Sequence, residues 1–317
     1  MTRPLIVLAL LTLSIQEPGH AWHDVASRYA RLPFLSERGN ASRHEQAEGL
    51  SLGAAQTPVF KSGVETVRVD VLVSRGGLPV QGLGADDFEI LDSGVVQRID
   101  HVAFEEIPLN VVLAIDASSS LEEEREQRLR EACRRVLAEL RPGDQAGLLV
   151  FSDPVVIRSE LTGDLDAVRA AVDLPLPRGQ TSLVDAVQAS VVLAESQPGR
   201  ALILIFSDGI EVSSYLPAEA ILDAVKRTDA VVYGVTVRGR TGARLLPDLS
   251  DATGGDTIEI ESAREIEPAF RRVLDEFRRR YLLSYAPSGV SPGGWHPLKV
   301  RVKARGADVK ARPGYFR

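Results

Sequence analysis

The sequence predicts an α/β fold: a doubly wound, mainly parallel sheet flanked by helices, with a small β-sandwich-like domain assembled from both flanks of the chain. Three observations predict it. The middle of the chain alternates continuous apolar runs with helical spacings, as expected of strands joined by crossover helices. Both ends carry segments in which apolar residues recur at every second position, the pattern of strands with one wet face. Clusters of Asp, Ser and Thr follow the apolar runs directly. In such sheets ligands sit there, beyond the carboxyl ends of the strands.

The chain has 317 residues. Arg3, the mostly apolar stretch from Leu5 to Ile15, and the small residues Gly19 and Ala21 predict an export signal over residues 1–21. The stretch is too short for a helical membrane span, so the mature protein is expected outside the cytoplasm, secreted or in the periplasm or cell envelope. Residues 22–57 mix charge, Ser, Gly and Ala without period and predict a flexible leader. A β segment is expected over 58–106. From Val67 to Val73 every odd position is Val, a half-buried strand. Arg75-Gly76-Gly77-Leu78-Pro79 is turn chemistry. Phe88 to Leu91 and Ile99 to Ala103 predict short strands around the turn Asp92-Ser93-Gly94. In the last segment, 281–317, the run from Leu298 to Ala304 alternates apolar with basic residues. Neither flank can bury its apolar face alone, so the two are expected to pair.

Residues 107–280 predict the central domain. Val111 to Ile115, Gly147 to Phe151, Ala201 to Phe206 and Val231 to Val237 read as strands buried on both faces, with a short one at Ile258 to Ile260. Helices are expected over 122–140, 164–172, 183–195, 217–227 and 263–280. Cys133 is the sole cysteine, which excludes an internal disulfide and a thiolate metal cluster. It falls within the first of these helices as a small core residue. The net charge of −7 argues against nucleic acid as a general partner. Charge is uneven, since residues 264–317 hold 13 Lys and Arg against 5 Asp and Glu, which suits solvent-facing basic strands and helices.

Three polar clusters carry the chemistry. Asp116-Ala117-Ser118-Ser119-Ser120 follows the first buried strand, Ser207-Asp208-Gly209 follows the third, and Gly179-Gln180-Thr181-Ser182 opens a helix between them. They offer carboxylate and hydroxyl oxygens, the hard donors that suit Mg²⁺ or Mn²⁺ and, in a flexible form, Ca²⁺. Plainer readings exist for each: the Asp and serines as a helix cap, Thr181 as the cap of its helix, Asp208-Gly209 as a turn. Three cap-type residues at alternating positions exceed what one cap needs. Asp185 is expected to bond the loop backbone or sit behind the ligands. Glu122, Glu123 and Glu124 read as favourable charges at a helix start. No Ser/His/Asp set, His-rich site or Gly-rich phosphate loop accompanies the clusters.

At Asp116, Ser118, Ser120, Thr181 and Asp208 the sequence resembles the von Willebrand factor type A family, whose metal-ion-dependent adhesion site has Asp-x-Ser-x-Ser, a later Thr and an Asp-Gly after a strand. Ser119 and Gln180 stand where the family often has Gly. The flanks, Gly82 to Asp92, Tyr281 to Pro287 and Arg312-Pro313-Gly314-Tyr315-Phe316, resemble exported type A-related proteins of acidobacteria. The resemblance implies that the five residues hold Mg²⁺, or Mn²⁺ or Ca²⁺ in its place, with Asp116 and Asp208 acting partly through water. It also implies that an Asp or Glu of a protein partner completes the coordination, which makes the chain a binding module; no general base of suitable type stands beside the motif, so an enzyme is not expected. A metal that only stabilises the loops and a Mg²⁺-dependent hydrolase are the alternatives.

Overall fold

The computed structural model describes residues 66–105, 107–119, 122–207, 211–238 and 245–317; the expected signal and leader lie outside them. The described chain opens with β1 (Val67–Arg75), β2 (Leu78–Pro79), β3 (Phe88–Asp92), β4 (Val95–Gln97) and β5 (His101–Phe104). In β1 the valines at 67, 69, 71 and 73 are buried and the residues between them are not. Gly76 and Gly77, at φ +57° and +80°, close β1 onto β2. A two-residue hairpin of this hand needs positive φ at both positions, which glycine supplies without strain. The Ser93-Gly94 turn pairs Asp92 with Val95, so the strand across it is 95–97 and not the expected 99–103. That later segment starts at His101 and joins the other sheet. Val95 and Val96 are exposed, which hides β4 from any search for alternation.

The central domain follows in the order β6 (Leu109–Asp116), α1 (Glu123–Ala138), β7 (Gln145–Phe151), β8 (Val155–Thr162), α2 (Leu165–Val172) and α3 (Leu183–Ala194). It continues with β9 (Arg200–Phe206), α4 (Ala218–Val225), β10 (Val231–Val237), α5 (Leu245–Thr253), β11 (Thr257–Ile260) and α6 (Ile266–Arg278). The sheet order is β11-β10-β9-β6-β7-β8, and only β8 is antiparallel. Every residue of β6 and β9, at the centre, is buried, which explains their unbroken apolar runs. One face of the sheet packs on α1, α2 and α6, the other on α3, α4 and α5. Cys133 packs in the first of these cores, and burial pushes its thiol up to about 12, against a lesser pull from Arg130 and Arg134.

Within the central domain two elements are not foreseen by the sequence pattern. β8 is an edge strand with an irregular burial pattern, folded back on β7 through a short turn that needs no crossover helix. α5 carries Pro247 in its first turn, where a missing N–H costs nothing but which reads as a breaker in sequence.

The chain closes with β12 (Tyr281–Tyr285), β13 (Trp295–Val302), β14 (Asp308–Lys310) and β15 (Gly314–Phe316). These pair with the opening strands in two antiparallel sheets, β14-β1-β12-β5 and β15-β13-β3-β4. The sheets share one core of Val67, Val69, Val71, Val73, Phe88, Ile90, Tyr281, Leu283, Tyr285 and Tyr315. Residues 58–106 and 281–317 therefore meet wherever they are described. Buried arginines join this sandwich to the central sheet. Arg200, at the start of β9, pairs with Asp70 of β1, and Arg280 donates to the Tyr233 hydroxyl and to Gly254 O at 2.7 and 2.6 Å. Arg312 reaches Thr228 O and Arg68 O at 3.0 and 2.6 Å. The described residues accordingly form one compact unit. Among them no helix is long and apolar enough to cross a membrane.

Candidate metal centre

β6 and β9 are neighbours, so the segments that leave their carboxyl ends emerge side by side. Asp116, the last residue of β6, is 1% exposed. Its carboxylate accepts from the Ser118 backbone N–H at 2.8 Å and from the Ser207 hydroxyl at 2.6 Å. The Ser119 N–H donates to Gly179 O at 2.8 Å, which stitches the loop after β6 to the loop before α3. Thr181 sits on that second loop, buried like Ser118. Of the five expected ligands, Asp116, Ser118 and Thr181 thus fall in one cluster of joined loops. Ser120 and Asp208 lie outside the described residues.

A ring of carboxylates braces these loops. Asp153, in the turn between β7 and β8, accepts from the Gln180 N–H at 3.0 Å, and its carbonyl accepts from the Ser182 hydroxyl. Arg178 pairs with Glu126 of α1 at 2.7 Å. Glu211 accepts from the Val184 N–H at 2.9 Å and the Ser214 N–H at 2.7 Å. Asp185 accepts from the N–H groups of Tyr215 and Leu216, the loop-bonding role expected of it. Thr181 does not cap α3. The N-cap position is Ser182, which makes no capping bond with its side chain. The orphan N–H groups of the first turn go instead to Glu211 and to the Ser214 hydroxyl, a cap supplied by the loop after β9. Glu122 stands at the N-cap of α1 with Glu123, Glu124 and Glu126 in the first turn, favourable to the helix dipole.

Asp153 and Glu211 are not singled out by the sequence, whereas Ser207 belongs to one of its three polar clusters. All three fall within a few residues of the carboxyl end of a central strand, the same rule that locates Asp116. Asp153 is masked by the turn signal of Asp153-Pro154.

The donor set is all oxygen and rich in hydroxyls, which fits a hard divalent cation. Among the described residues no three or more His, Cys, Asp or Glu are placed to share an ion. Asp153, Asp185 and Glu211 bring three carboxylates to these loops, each accepting from backbone N–H groups.

Gly179 marks the tightest point. A Cβ there would lie 2.2 Å from Asp153 Oδ2 and 3.1 Å from Asp153 N. The Gly179→Ala substitution is expected to displace Asp153 and the loop that carries Thr181, lowering metal affinity about tenfold, as for loss of an outer support. Thermal unfolding should shift little. Titration calorimetry beside a melting curve checks this.

The sequence profile described as the von Willebrand factor type A domain matches residues 111–211. No curated protein matches the chain. Among solved structures, a von Willebrand factor type A protein from Catenulispora acidiphila superposes on 81% of this chain and 75% of its own, with TM-score 0.50 and 13% identity. Proximal thread matrix protein 1 from the mussel byssus, solved with a zinc-occupied MIDAS motif, aligns over 59% of this chain at TM-score 0.50 and 14% identity. The present chain spans 50% of the mussel protein's length. At such identities the likeness is one of fold.

Proposed function

We propose that this chain, whose residues 111–211 match the von Willebrand factor type A profile, is a metal-dependent protein-binding module. It holds one divalent ion, Mg²⁺ ahead of Mn²⁺ or Ca²⁺, through Asp116, Ser118, Ser120, Thr181 and Asp208. A partner's Asp or Glu completes the coordination. The chain acts in adhesion or scaffolding outside the cytoplasm, exported by residues 1–21.

One observation carries the reading. Asp116, Ser118 and Thr181 are buried oxygen donors on two loops tied directly by the bond from Ser119 N–H to Gly179 O. Ser120 and Asp208 enter on the sequence motif. The zinc-occupied motif of the mussel protein supports a divalent-metal site of this kind. Asp116 is kept oriented by Ser118 and Ser207, and Thr181 by a loop braced on Asp153. When bound, the ion supplies an electrophilic position for a carboxylate, and the attraction grows as water leaves the contact. No catalytic role is proposed, since Asp153, Asp185 and Glu211 serve as braces on backbone N–H groups.

The test uses the full chain on an array of eight-residue peptides, each with one Asp or Glu or the corresponding amide. Carboxylate peptides should be retained in Mg²⁺ and released by chelator, and amide peptides should not be retained. Retention of amide and carboxylate peptides alike, or retention that persists in chelator, would sink the reading.

A further inference from the structure

The loop after β9 makes a second feature beside the candidate centre. Its backbone is pinned along five consecutive residues. The N–H groups of Val212 and Ser213 donate to Thr181 O at 3.0 and 3.1 Å. Those of Ser213 and Ser214 donate to one oxygen of Glu211, and those of Tyr215 and Leu216 to the two oxygens of Asp185 at 2.9 and 3.1 Å. The Ser213 hydroxyl meets that of Ser182 at 2.8 Å. The segment is therefore fixed to the turn that carries Thr181.

The serine side chains of the segment face that turn, and its apolar side chains are exposed. Tyr215 is 96% exposed and Val212 60%, with Leu216 exposed beside them. Exposed apolar residues scattered singly need no explanation. Three within five residues, on a backbone with every N–H bound, are carried on a loop whose backbone path is fixed before any partner arrives. Such preorganisation removes much of the ordering cost of binding. Tyr adds large contact area at low rotamer entropy, which is why it recurs among the residues that dominate interfaces. Val212 and Ser213 bond the backbone carbonyl of Thr181 itself, so this segment adjoins the loop that carries an expected metal ligand.

We propose that Val212, Tyr215 and Leu216 form an apolar shelf that selects the partner. The occupant is a protein segment in which a bulky aliphatic or aromatic side chain neighbours the metal-binding Asp or Glu. The proposal rests on the carboxylate reading of the metal centre. A carboxylate alone is common on protein surfaces, whereas a carboxylate beside an exposed apolar side chain is not, so the shelf provides the discrimination that the ion lacks.

The same array decides it, with the residues flanking each Asp or Glu set to Leu, Phe or Ser. In Mg²⁺ the full chain should retain Leu- and Phe-flanked carboxylate peptides about tenfold more tightly than Ser-flanked ones, the loss typical of one truncated interface anchor. The double variant Val212→Ser, Tyr215→Ser alters two exposed side chains. It should keep its circular dichroism and its Mg²⁺ affinity while losing the preference. Equal retention of all flanking classes by the wild-type chain, or an unchanged preference in the variant, overturns the shelf and leaves the metal reading standing. If Mg²⁺ binds but no carboxylate peptide is retained, the carboxylate reading fails and the shelf with it. If sedimentation shows a wild-type dimer that the double variant abolishes, the occupant is a second copy of this chain and the proposal is overturned.

Discussion

Asp116→Ala is expected to weaken Mg²⁺ binding by at least about a hundredfold, beyond what loss of an outer support costs. Asp116 is the sole carboxylate among the described candidate ligands and the anchor of both neighbouring loops. Its loss strips the Ser118 N–H and the Ser207 hydroxyl of an acceptor. Each such buried donor left bare costs about 1–3 kcal/mol. Part of that is offset, because a buried carboxylate without its cation is itself unfavourable. The fold should therefore survive with a modestly lower melting temperature. Asp116→Asn separates the two effects, since it keeps a side-chain oxygen for one donor and removes the charge. It should bind Mg²⁺ nearly as poorly as the alanine variant while melting closer to the wild type. Titration calorimetry on both variants measures the first effect and circular dichroism the second. An affinity unchanged from wild type in either variant removes Asp116 from the metal centre.

The elements legible in the sequence are those whose burial is uniform. β6 and β9 are covered on both faces, so every residue from Val111 to Ile115 and from Ala201 to Phe206 had to be apolar. β1 is covered on one face, and its valines alternate accordingly. Two of the missed strands lack either constraint: β8 lies at an edge, and β4 exposes both valines. The site divides in the same way. Asp116, Ser118 and Thr181 stand out because a metal centre needs several oxygen donors in a fixed chain order. Asp153 and Glu211 do not, because they act on backbone N–H groups brought near by the fold. Nothing local in Ser152-Asp153-Pro154 tells that its carboxylate will face Gly179 and Gln180. The exchange of caps between α3 and the loop after β9 is likewise a tertiary fact.

The largest stability effect is expected far from the metal centre, at Asp92. This residue ends β3 inside the flank sandwich and has no exposed surface. Its two oxygens accept from the hydroxyls of Tyr285 at 2.9 Å, Tyr315 at 2.8 Å and Ser93 at 3.0 Å. They also accept from His296 Nδ1 at 2.8 Å. A carboxylate only accepts, so Nδ1 carries the proton in that bond. Burial works to raise the Asp92 carboxyl, but the bonds from His296, Tyr315, Tyr285 and Ser93 together outweigh it and hold it below the ordinary range. Burial first, and then the bond to Asp92, pushes Tyr315 up to about 12, so its hydroxyl stays a donor at any physiological pH. One carboxylate thus ties β3 to β12, β13 and β15, which come from opposite ends of the chain. Asp92→Ala leaves four donors without their acceptor, and the expected loss is about 3–5 kcal/mol, the range for breaking a buried charged network. Tyr315→Phe removes one donor and should cost only about 1 kcal/mol. The acid dependence follows from the lowered folded value. In the unfolded chain an Asp titrates near about 3.9, so the contribution of Asp92 is fully present above that pH. It is lost as pH falls through the lower folded value. Asp92→Asn should therefore flatten the acid limb of a stability profile measured by urea denaturation between neutral pH and about pH 3, where the wild type loses stability as its carboxylates protonate. If Asp92→Ala unfolds at the same urea concentration as the wild type, the network does not hold the two ends of the chain together, and the sandwich stands on its apolar core alone.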